Sequence, residues 1–269
     1  MKADPDLRAL QDGAIAAARA AGQHALANVH RRGEALSRAH HDVKLALDVE
    51  CQARASDVIR AAFPGHAILG EEDADTGPRP GAGDEAPGAY LWVIDPIDGT
   101  VNFSHGLRFW CCSVAVQHRG ETVAGSVYAP AMEELYSARR RGGAWRNGEP
   151  IKVSTVADPA AAVVMTGLDK DPRGGIPPLT YFSRIASACQ RPRVVGCAAL
   201  DLCQVACGRA DAYFESGIYI WDVAAAGLMV EEAGGKAEKL ASLGGHRLQF
   251  LATNGRIHEE LRALLTAPS

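Results

Sequence analysis

The segment WVIDPIDGTVNF, residues 92–103, constrains the fold more than any other stretch of this chain. It begins inside a short apolar run, Tyr90–Ile94, of the kind that fills the interior of a β-sheet. Pro96 has no N–H group and a fixed φ, so we expect the strand to end there. The sequence therefore predicts a buried strand that brings two carboxylates, Asp95 and Asp98, to one loop.

This loop offers oxygen ligands for a hard divalent cation next to a place for an anion. The two carboxylates and the main-chain carbonyl of Ile97 are the candidate ligands, and Gly99 lets the backbone come close to a bound molecule. The N–H groups of Gly99 and Thr100 suit a phosphate. An ordinary surface turn can have the same composition, so the interpretation depends on partners elsewhere in the chain.

Length and composition exclude several classes of partner. With 269 residues and a net charge of −4, the chain can bury a large core and has no excess of basic residues, so we expect no direct nucleic-acid partner. No signal-peptide segment is visible and no apolar run approaches the roughly 20 residues that span a bilayer, so no membrane partner is expected. The 7 cysteines form no CxxC pair, which argues against zinc and favours reduced thiols in a cytoplasmic protein.

The first half of the chain, to about residue 155, predicts two helices on a largely antiparallel sheet. The helices are expected at 6–30 and 48–63, the second with Asp48 as its N-cap. Arg119-Gly120 and Asn147-Gly148 are signals for tight turns between strands. The strands are expected at 43–47, 66–69, 90–94, 111–118, 121–129, 133–139 and 142–146.

The second half, residues 156–269, predicts strands and helices in alternation. The expected strands are 162–166, 193–195, 211–215 and 248–252. The expected helices are 178–189, 198–207, 222–233 and 257–265. We interpret the whole chain, 1–269, as a single domain of the α/β (α+β) class.

Two further acidic sites follow apolar segments. Glu71 and Glu72 follow the run His66–Leu69 after a single glycine, Gly70, and Asp222 follows Trp221 at a predicted helix start, where an Asp is also an ordinary N-cap. The chain has neither a GxSxG nucleophile motif nor a GxxxxGK[ST] phosphate loop. Carboxylates beside a Gly-Thr step therefore indicate metal-assisted hydrolysis of a phosphate ester, and Mg²⁺ suits such ligands.

At these residues the chain resembles the inositol monophosphatase family of lithium-sensitive phosphatases. The similarity lies in four segments, WVIDPIDGTVNF (92–103), GEE (70–72), WDVAAAGLMVEEAGG (221–235) and GCAALDLCQVACGRADAYFESGIYIWD (196–222). Their order and spacing also match, from about residue 10 to residue 265. The resemblance implies a layered αβαβα sandwich, Mg²⁺-dependent hydrolysis of myo-inositol monophosphate or a related sugar phosphate, and a homodimer.

The resemblance also implies a role for each carboxylate of these segments. Glu71, Asp95 and the Ile97 carbonyl would hold one Mg²⁺. Asp95, Asp98 and Asp222 would hold a second. Glu71 and Glu72 would reach a weaker third ion through water molecules.

Further roles concern the water and the substrate. Thr100, hydrogen-bonded to Asp48, would orient the attacking water together with Glu71, and the N–H groups of Gly99 and Thr100 would bind the phosphate. The hydroxyls of the polyol would meet Asp98, Ala198 and Glu215. Asp222 would lie close to the ester oxygen.

Two segments depart from the family pattern and leave alternatives open. Residues 42–48 read DVKLALD where members commonly carry Asp-x-Val-Thr-x-x-Asp, so metal count and lithium sensitivity stay undetermined. GLDKDPRGG, at 167–175, lacks the common continuation. Histidinol phosphate, fructose-1,6-bisphosphate, NADP(H) and 3′-phosphoadenosine nucleotides are alternative substrates. An alternative that is not an enzyme is a regulatory protein that binds the transcription machinery. The presence of all the carboxylates Glu71, Asp95, Asp98 and Asp222 favours the enzyme.

Overall fold

The computed structural model describes residues 6–38, 43–73, 90–168 and 177–267, which form two large β-sheets and several α-helices. The helices are α1 (Leu7–Ala27), α2 (Ala46–Ala62), α3 (Thr100–Ser104), α4 (Pro178–Ala188), α5 (Ala198–Ala206), α6 (Ile220–Glu232) and α7 (His258–Thr266). None of these described helices is long and apolar enough to cross a membrane. Residues 169–175 of the unusual segment and Asp42 lie outside the described residues.

The larger sheet has seven strands that are neighbours in chain order. A two-stranded ribbon of β1 (Ala35–Arg38) and β2 (Val43–Leu45) precedes it. The strands of the seven-stranded sheet are β3 (Ala67–Gly70), β4 (Tyr90–Asp98), β5 (Cys111–His118), β6 (Glu121–Ala129), β7 (Glu134–Arg139), β8 (Ala144–Arg146) and β9 (Glu149–Pro150). Among the described strands of this sheet, β3 and β4 pair in parallel and all other neighbours are antiparallel. Both predicted turns, Arg119-Gly120 and Asn147-Gly148, are confirmed and have positive φ angles.

The second sheet has five strands in the order β11-β10-β12-β14-β13. They are β10 (Val163–Thr166), β11 (Arg191–Arg193), β12 (Ala212–Tyr219), β13 (Lys236–Gly244) and β14 (Arg247–Thr253). β10 pairs in parallel with β11 and β12, whereas β12, β14 and β13 are antiparallel. The sheet is therefore mixed, as expected from an alternation of strands and helices.

The layers follow from strands that are buried on both faces. On β4, Trp92 and Ile94 pack in one core with α1 and α2, while Val93 packs in another core with α5 and α6. The helices α4 and α7 cover the outer face of the second sheet. The order helix, sheet, helix, sheet, helix confirms the predicted αβαβα sandwich.

Three predictions about strands were wrong or incomplete. β4 does not end at Pro96 but continues to Asp98, because the proline lies in a bulge, where no ladder hydrogen bond is lost. The strand expected at 193–195 lies at Arg191–Arg193. β1, β9 and β13 were not predicted. β13 is an edge strand whose residues are mostly exposed or half-buried, so it lacks an apolar run.

Candidate active site

Three aspartates from two elements bring their carboxylates together at one end of the larger sheet. One carboxylate oxygen each of Asp95, Asp98 and Asp222 lies within 4.8 Å of the other two. Asp95 and Asp98 belong to β4, and Asp222 belongs to the first turn of α6. All three are 9% exposed or less. Their proximity is the central geometric fact of the site.

A β-bulge places Asp95 and Asp98 on the same side of β4. Asp95 pairs with Ser113 and Asp98 with Cys111, so the three steps along β4 oppose two steps on β5. In a regular strand, residues three apart point to opposite faces, and one extra residue reverses that relation. The Pro96 carbonyl at this bulge accepts a bond from the Cys112 thiol, at 2.7 Å. The bulge therefore converts the DPxD spacing into a pair of converging carboxylates.

Asp222 and Asp48 share a position in their helices that the sequence reading did not predict. Neither is an N-cap: each is the third helical residue, with Tyr219 or Leu45 at the cap. Asp222 Oδ2 accepts the Tyr219 N–H at 2.9 Å, and Asp48 Oδ2 accepts the Leu45 N–H at 2.7 Å. A carboxylate at this position satisfies a backbone donor that the helix leaves open. The bond from the cap N–H to Oδ2 thus helps to fix the orientation of each aspartate.

The predicted acidic turn is a short 3₁₀ helix, Glu71–Asp73, that Gln52 of α2 holds in place. The Gln52 amide accepts the Glu72 N–H at 2.9 Å and donates to Asp73 Oδ2 at 2.8 Å. A side chain at Gly70 would overlap this amide. Sequence reasoning missed Gln52. The available signal was a polar residue one helical turn after Asp48 on the buried face of α2.

Glu72 forms an ion pair that the sequence reading did not foresee. Lys44 Nζ lies 2.5 Å from Glu72 Oε2, whose side chain is only 9% exposed. The hydrogen bond to Glu72 is the largest cause of the raised pKa of Lys44. The charges of Asp48 and Glu71 raise it further. Lys44 therefore brings a positive charge to the outer side of the acidic residues.

Asp98 connects β4 of the larger sheet to the N-terminus of α5. Its carboxylate accepts the N–H groups of Ala198, at 3.2 Å, and Ala199, at 2.6 Å. These donors are among the N–H groups that a helix start leaves open. Ala198, which was expected to meet a polyol hydroxyl, thus already uses its main-chain N–H for a carboxylate partner.

The Gly-Thr step opens the short helix α3. Gly99 has a φ of 85°, and an added Cβ would lie 3.1 Å from Cys197 Cβ, so both the backbone and the space require glycine. The Thr100 hydroxyl donates to the Ile97 carbonyl at 2.8 Å, instead of to Asp48 as expected. Asn102, which sequence reasoning also missed, donates to the carbonyls of Phe109 at 2.8 Å and of Val195 at 2.9 Å.

Burial and mutual repulsion dominate the electrostatics of the cluster. Burial, followed by neighbouring carboxylates, raises the pKa of Glu71 and of Asp95 well above the ordinary range. Burial raises the pKa of Asp98 to about 6 although backbone N–H bonds oppose it, and burial followed by the charge of Asp98 raises that of Asp222 to about 8. The cluster therefore requires either protons or added cations to be stable.

One cavity of about 500 Å³ unites most of the predicted site residues. These residues are Glu71, Asp95, Ile97, Asp98, Gly99, Thr100, Ala198, Glu215 and Asp222. Asp48 and Glu72 are not among the residues described as lining it. Glu215, one of these lining residues, accepts the Tyr213 hydroxyl at 2.8 Å, and a side chain at Gly167 would overlap its carboxylate.

Two thiols beside the cluster give a second group of possible ligands. One Asp98 carboxylate oxygen and the Sγ atoms of Cys111 and Cys197 lie within 4.8 Å of one another. Burial raises the pKa of both thiols well above the ordinary range, so they stay protonated. The described cysteines are free, as predicted. The all-oxygen group is therefore the better candidate for a cation.

Comparisons with known proteins agree with the sequence and the fold. The description of the inositol monophosphatase family matches residues 6–266. An inositol-1-monophosphatase from Synechocystis sp. is 36% identical over 232 residues, which cover 84% of this chain and 77% of that protein. A Nus factor SuhB from Pasteurella multocida is 37% identical over 225 residues, 82% of each chain. The solved inositol monophosphatase from Anabaena (Nostoc) sp. aligns over 98% of both chains, with a TM-score of 0.83 and 35% identity.

Proposed function

The chain belongs to the inositol monophosphatase family and is a phosphoric monoester hydrolase, and on this premise we propose that it hydrolyses myo-inositol monophosphate or a related sugar phosphate with Mg²⁺. The observation that carries the proposal is the convergence of Asp95, Asp98 and Asp222 within 4.8 Å. They converge in a cavity that the Gly-Thr step and Glu215 also line. A cation site, an anion site and a polyol site are thus next to one another.

The family is metal-dependent, and the residues of this cavity fit a hard divalent cation. The donors are carboxylate and carbonyl oxygens, the ligands that Mg²⁺ prefers. Asp95 Oδ1 is buried and has no hydrogen-bond partner among the described residues, so an oxygen is available for an ion. We assign the ligands as predicted: Glu71, Asp95, the Ile97 carbonyl, Asp98 and Asp222, with Glu72 further out. When bound, the ion neutralises phosphate charge and lowers the pKa of water.

The protein groups around the cluster would bind and orient the reactants. The N–H groups of Gly99 and Thr100 would hold the phosphate. Thr100 would orient the attacking water together with Asp48, which requires its hydroxyl to turn away from the Ile97 carbonyl, its partner at 2.8 Å. Glu215 would receive polyol hydroxyls, because it lines the cavity together with the Gly-Thr step and its carboxylate is oriented by the Tyr213 hydroxyl, which donates to Oε2.

A phosphate-release panel tests this function. Myo-inositol 1-phosphate is compared with fructose-1,6-bisphosphate, histidinol phosphate, adenosine 3′,5′-bisphosphate and NADP⁺, each with Mg²⁺ and with chelator. We expect the highest kcat/KM for inositol 1-phosphate and none with chelator. A higher kcat/KM for another substrate would correct the substrate assignment. Absence of Mg²⁺-dependent turnover on every monoester would refute the phosphatase proposal itself.

A second candidate function follows from the name of the Pasteurella relative, a Nus factor. The chain would then also bind the transcription machinery. Binding that survives the Asp95→Asn substitution would show that this function does not need catalysis. The buried, mutually repelling carboxylates favour the enzyme, because a binding protein has no use for them.

We also propose the homodimer that the family resemblance implies. A groove of about 390 Å³ is lined mainly by apolar residues, with Arg108 and Glu133 as its charged members, and its side chains of Leu26, Val29 and Leu107 are exposed. Exposed apolar groups of this kind often lie at subunit contacts. Sedimentation of the wild type and of Leu107→Lys tests this surface. The wild type should be a dimer, and the variant should be monomeric at protein concentrations at which the wild type is still dimeric.

A further inference from the structure

Asp201, on α5, is a buried carboxylate in the same cavity to which neither the motifs nor the fold gives a role. It is 2% exposed and lines the cavity together with Asp98 and Glu215. Its Oδ1 atom has no hydrogen-bond partner among the described residues. Burying an unpaired polar group is costly, so such a group in a cavity wall calls for a ligand.

Capping of its own helix does not explain Asp201. Asp48 and Asp222 each accept the N–H of their cap residue, whereas the carboxylate of Asp201 accepts no such bond within the described part of the chain. Asp201 is the fourth residue of α5, one position later, and the first N–H groups of that helix donate to Asp98 instead. Asp98 therefore already accepts the N–H groups at the start of α5 that a capping carboxylate of this helix would otherwise bind.

The surroundings of Asp201 match a polyol better than a cation. It does not belong to the converging group of Asp95, Asp98 and Asp222. Burial, followed by the charges of Asp98 and Glu215, raises the pKa of its carboxyl well above the ordinary range. A protonated carboxyl donates one hydrogen bond and accepts others, as a sugar hydroxyl does.

We propose that Asp201 is a substrate-binding residue that exchanges hydrogen bonds with a ring hydroxyl of a phosphorylated cyclic polyol, beside the hydroxyls assigned to Glu215. This inference rests on the proposed function and deepens it. Asp201 and Glu215 together would select substrates with neighbouring hydroxyls over simple phosphate monoesters. Asp201 would take no part in the attack on phosphorus.

The test compares two substitutions on two substrates. Asp201→Leu removes all hydrogen bonding at similar volume, and Asp201→Asn keeps a donor and an acceptor. The substrates are myo-inositol 1-phosphate and p-nitrophenyl phosphate, which has no polyol hydroxyl. For Asp201→Leu we expect KM for inositol 1-phosphate to rise about tenfold with kcat nearly unchanged, and kcat/KM for p-nitrophenyl phosphate to change less than about twofold. Asp201→Asn should stay within about threefold of wild type on both.

Deoxy analogues of inositol 1-phosphate identify the hydroxyl. Removing the hydroxyl that Asp201 binds should lower kcat/KM of the wild type. The same removal should leave kcat/KM of Asp201→Leu unchanged, because that variant has already lost the hydrogen bond. If every deoxy analogue loses the same factor in both proteins, no hydroxyl is bound by Asp201 and the proposal is wrong.

Thermal unfolding separates this role from a structural one. Since Asp201→Leu removes a buried unpaired carboxyl, its Tm without substrate should equal or exceed that of the wild type. A lower Tm together with equal losses on both substrates would overturn the proposal. If the proposed function is wrong, the wild type itself will not turn over either substrate. If only this inference is wrong, the wild type will be active, and Asp201→Leu will lose the same factor in kcat/KM on both substrates.

Discussion

Asp95 and Asp211 are both buried aspartates, but Asp211 is surrounded by hydrogen-bond donors and Asp95 by other carboxylates. Asp211, 6% exposed and next to the start of β12, accepts bonds from Ser154 Oγ at 2.5 Å and from the Val163 N–H at 2.7 Å. Asn254 extends this network by donating to Ser154 Oγ at 2.9 Å. Asp95, 2% exposed, has instead an oxygen without a donor and three acidic neighbours.

The comparison shows that burial of a carboxylate does not by itself locate a functional site. A buried carboxylate surrounded by donors joins segments of the fold, as Asp211 joins Ser154 to β10. A buried carboxylate surrounded by other acids destabilises the protein until a cation or a proton arrives. The ratio of donors to acids therefore separates the two roles.

Asp95→Asn should have the largest effect on activity. Loss of this charged ligand should lower Mg²⁺-dependent kcat/KM by about 1,000-fold, since the bound ion contributes several kcal/mol to transition-state stabilisation. The metal-free Tm should rise, because one of the repelling carboxylates is removed. Kinetics and calorimetry measure both. Retained activity would show that Asp95 is not a ligand, and a lower Tm would contradict the contrast with Asp211.

Asp211→Ala should show the opposite pattern. We expect the free energy of unfolding to fall by about 3 kcal/mol, because the Val163 N–H and the Ser154 hydroxyl lose their acceptor. The kcat of the folded fraction should stay close to wild type. Denaturant titration gives the first quantity and active-site-normalised kinetics the second. A stable but inactive Asp211→Ala protein would place Asp211 in the functional group of carboxylates.

The Mg²⁺-induced gain in Tm should grow with pH. Without a cation the folded-state pKa is about 6 for Asp98 and about 8 for Asp222, against an ordinary value of 3.8. The native state then binds more protons than the unfolded state between about pH 4 and pH 8, so the metal-free protein loses stability as pH rises through this window. Calorimetry with and without Mg²⁺ at about pH 5.5 and about pH 8 should show a gain several degrees larger at the higher pH. An equal gain at both would contradict the raised pKa values.

Lys44 should have the smallest effect, because its side chain is 41% exposed and its charge is screened. Lys44→Met should increase the apparent Mg²⁺ affinity about threefold, since a positive charge is removed beside Glu72 and the cluster. Lys44→Arg is the matched control that keeps the charge. Calorimetric titration of Mg²⁺ measures the affinity. Identical affinity in the wild type and Lys44→Met would mean that this lysine does not compete with the ion.

The sequence itself determined what depends on neighbours along the chain. The apolar run before Asp95 predicted a buried strand, and Asn147-Gly148 predicted a hairpin turn, since glycine and asparagine tolerate positive φ. The motifs around Asp98 and Asp222 were sufficient to indicate the family, and the resemblance to that family in turn implied the αβαβα fold. The strand, the turn and the motifs are local features, and therefore readable from residue types and spacing.

The tertiary structure alone decided how the carboxylates meet and which of them are paired. The bulge that turns Asp95 and Asp98 to one side depends on pairing with β5, which the DPxD spacing does not encode. The ion pair of Lys44 with Glu72 and the position of Asp201 in the cavity wall join residues far apart in the chain. Hydrogen bonding and charge pairing between distant segments arise only when packing brings them within a few ångströms, so no pattern along the sequence could have shown them.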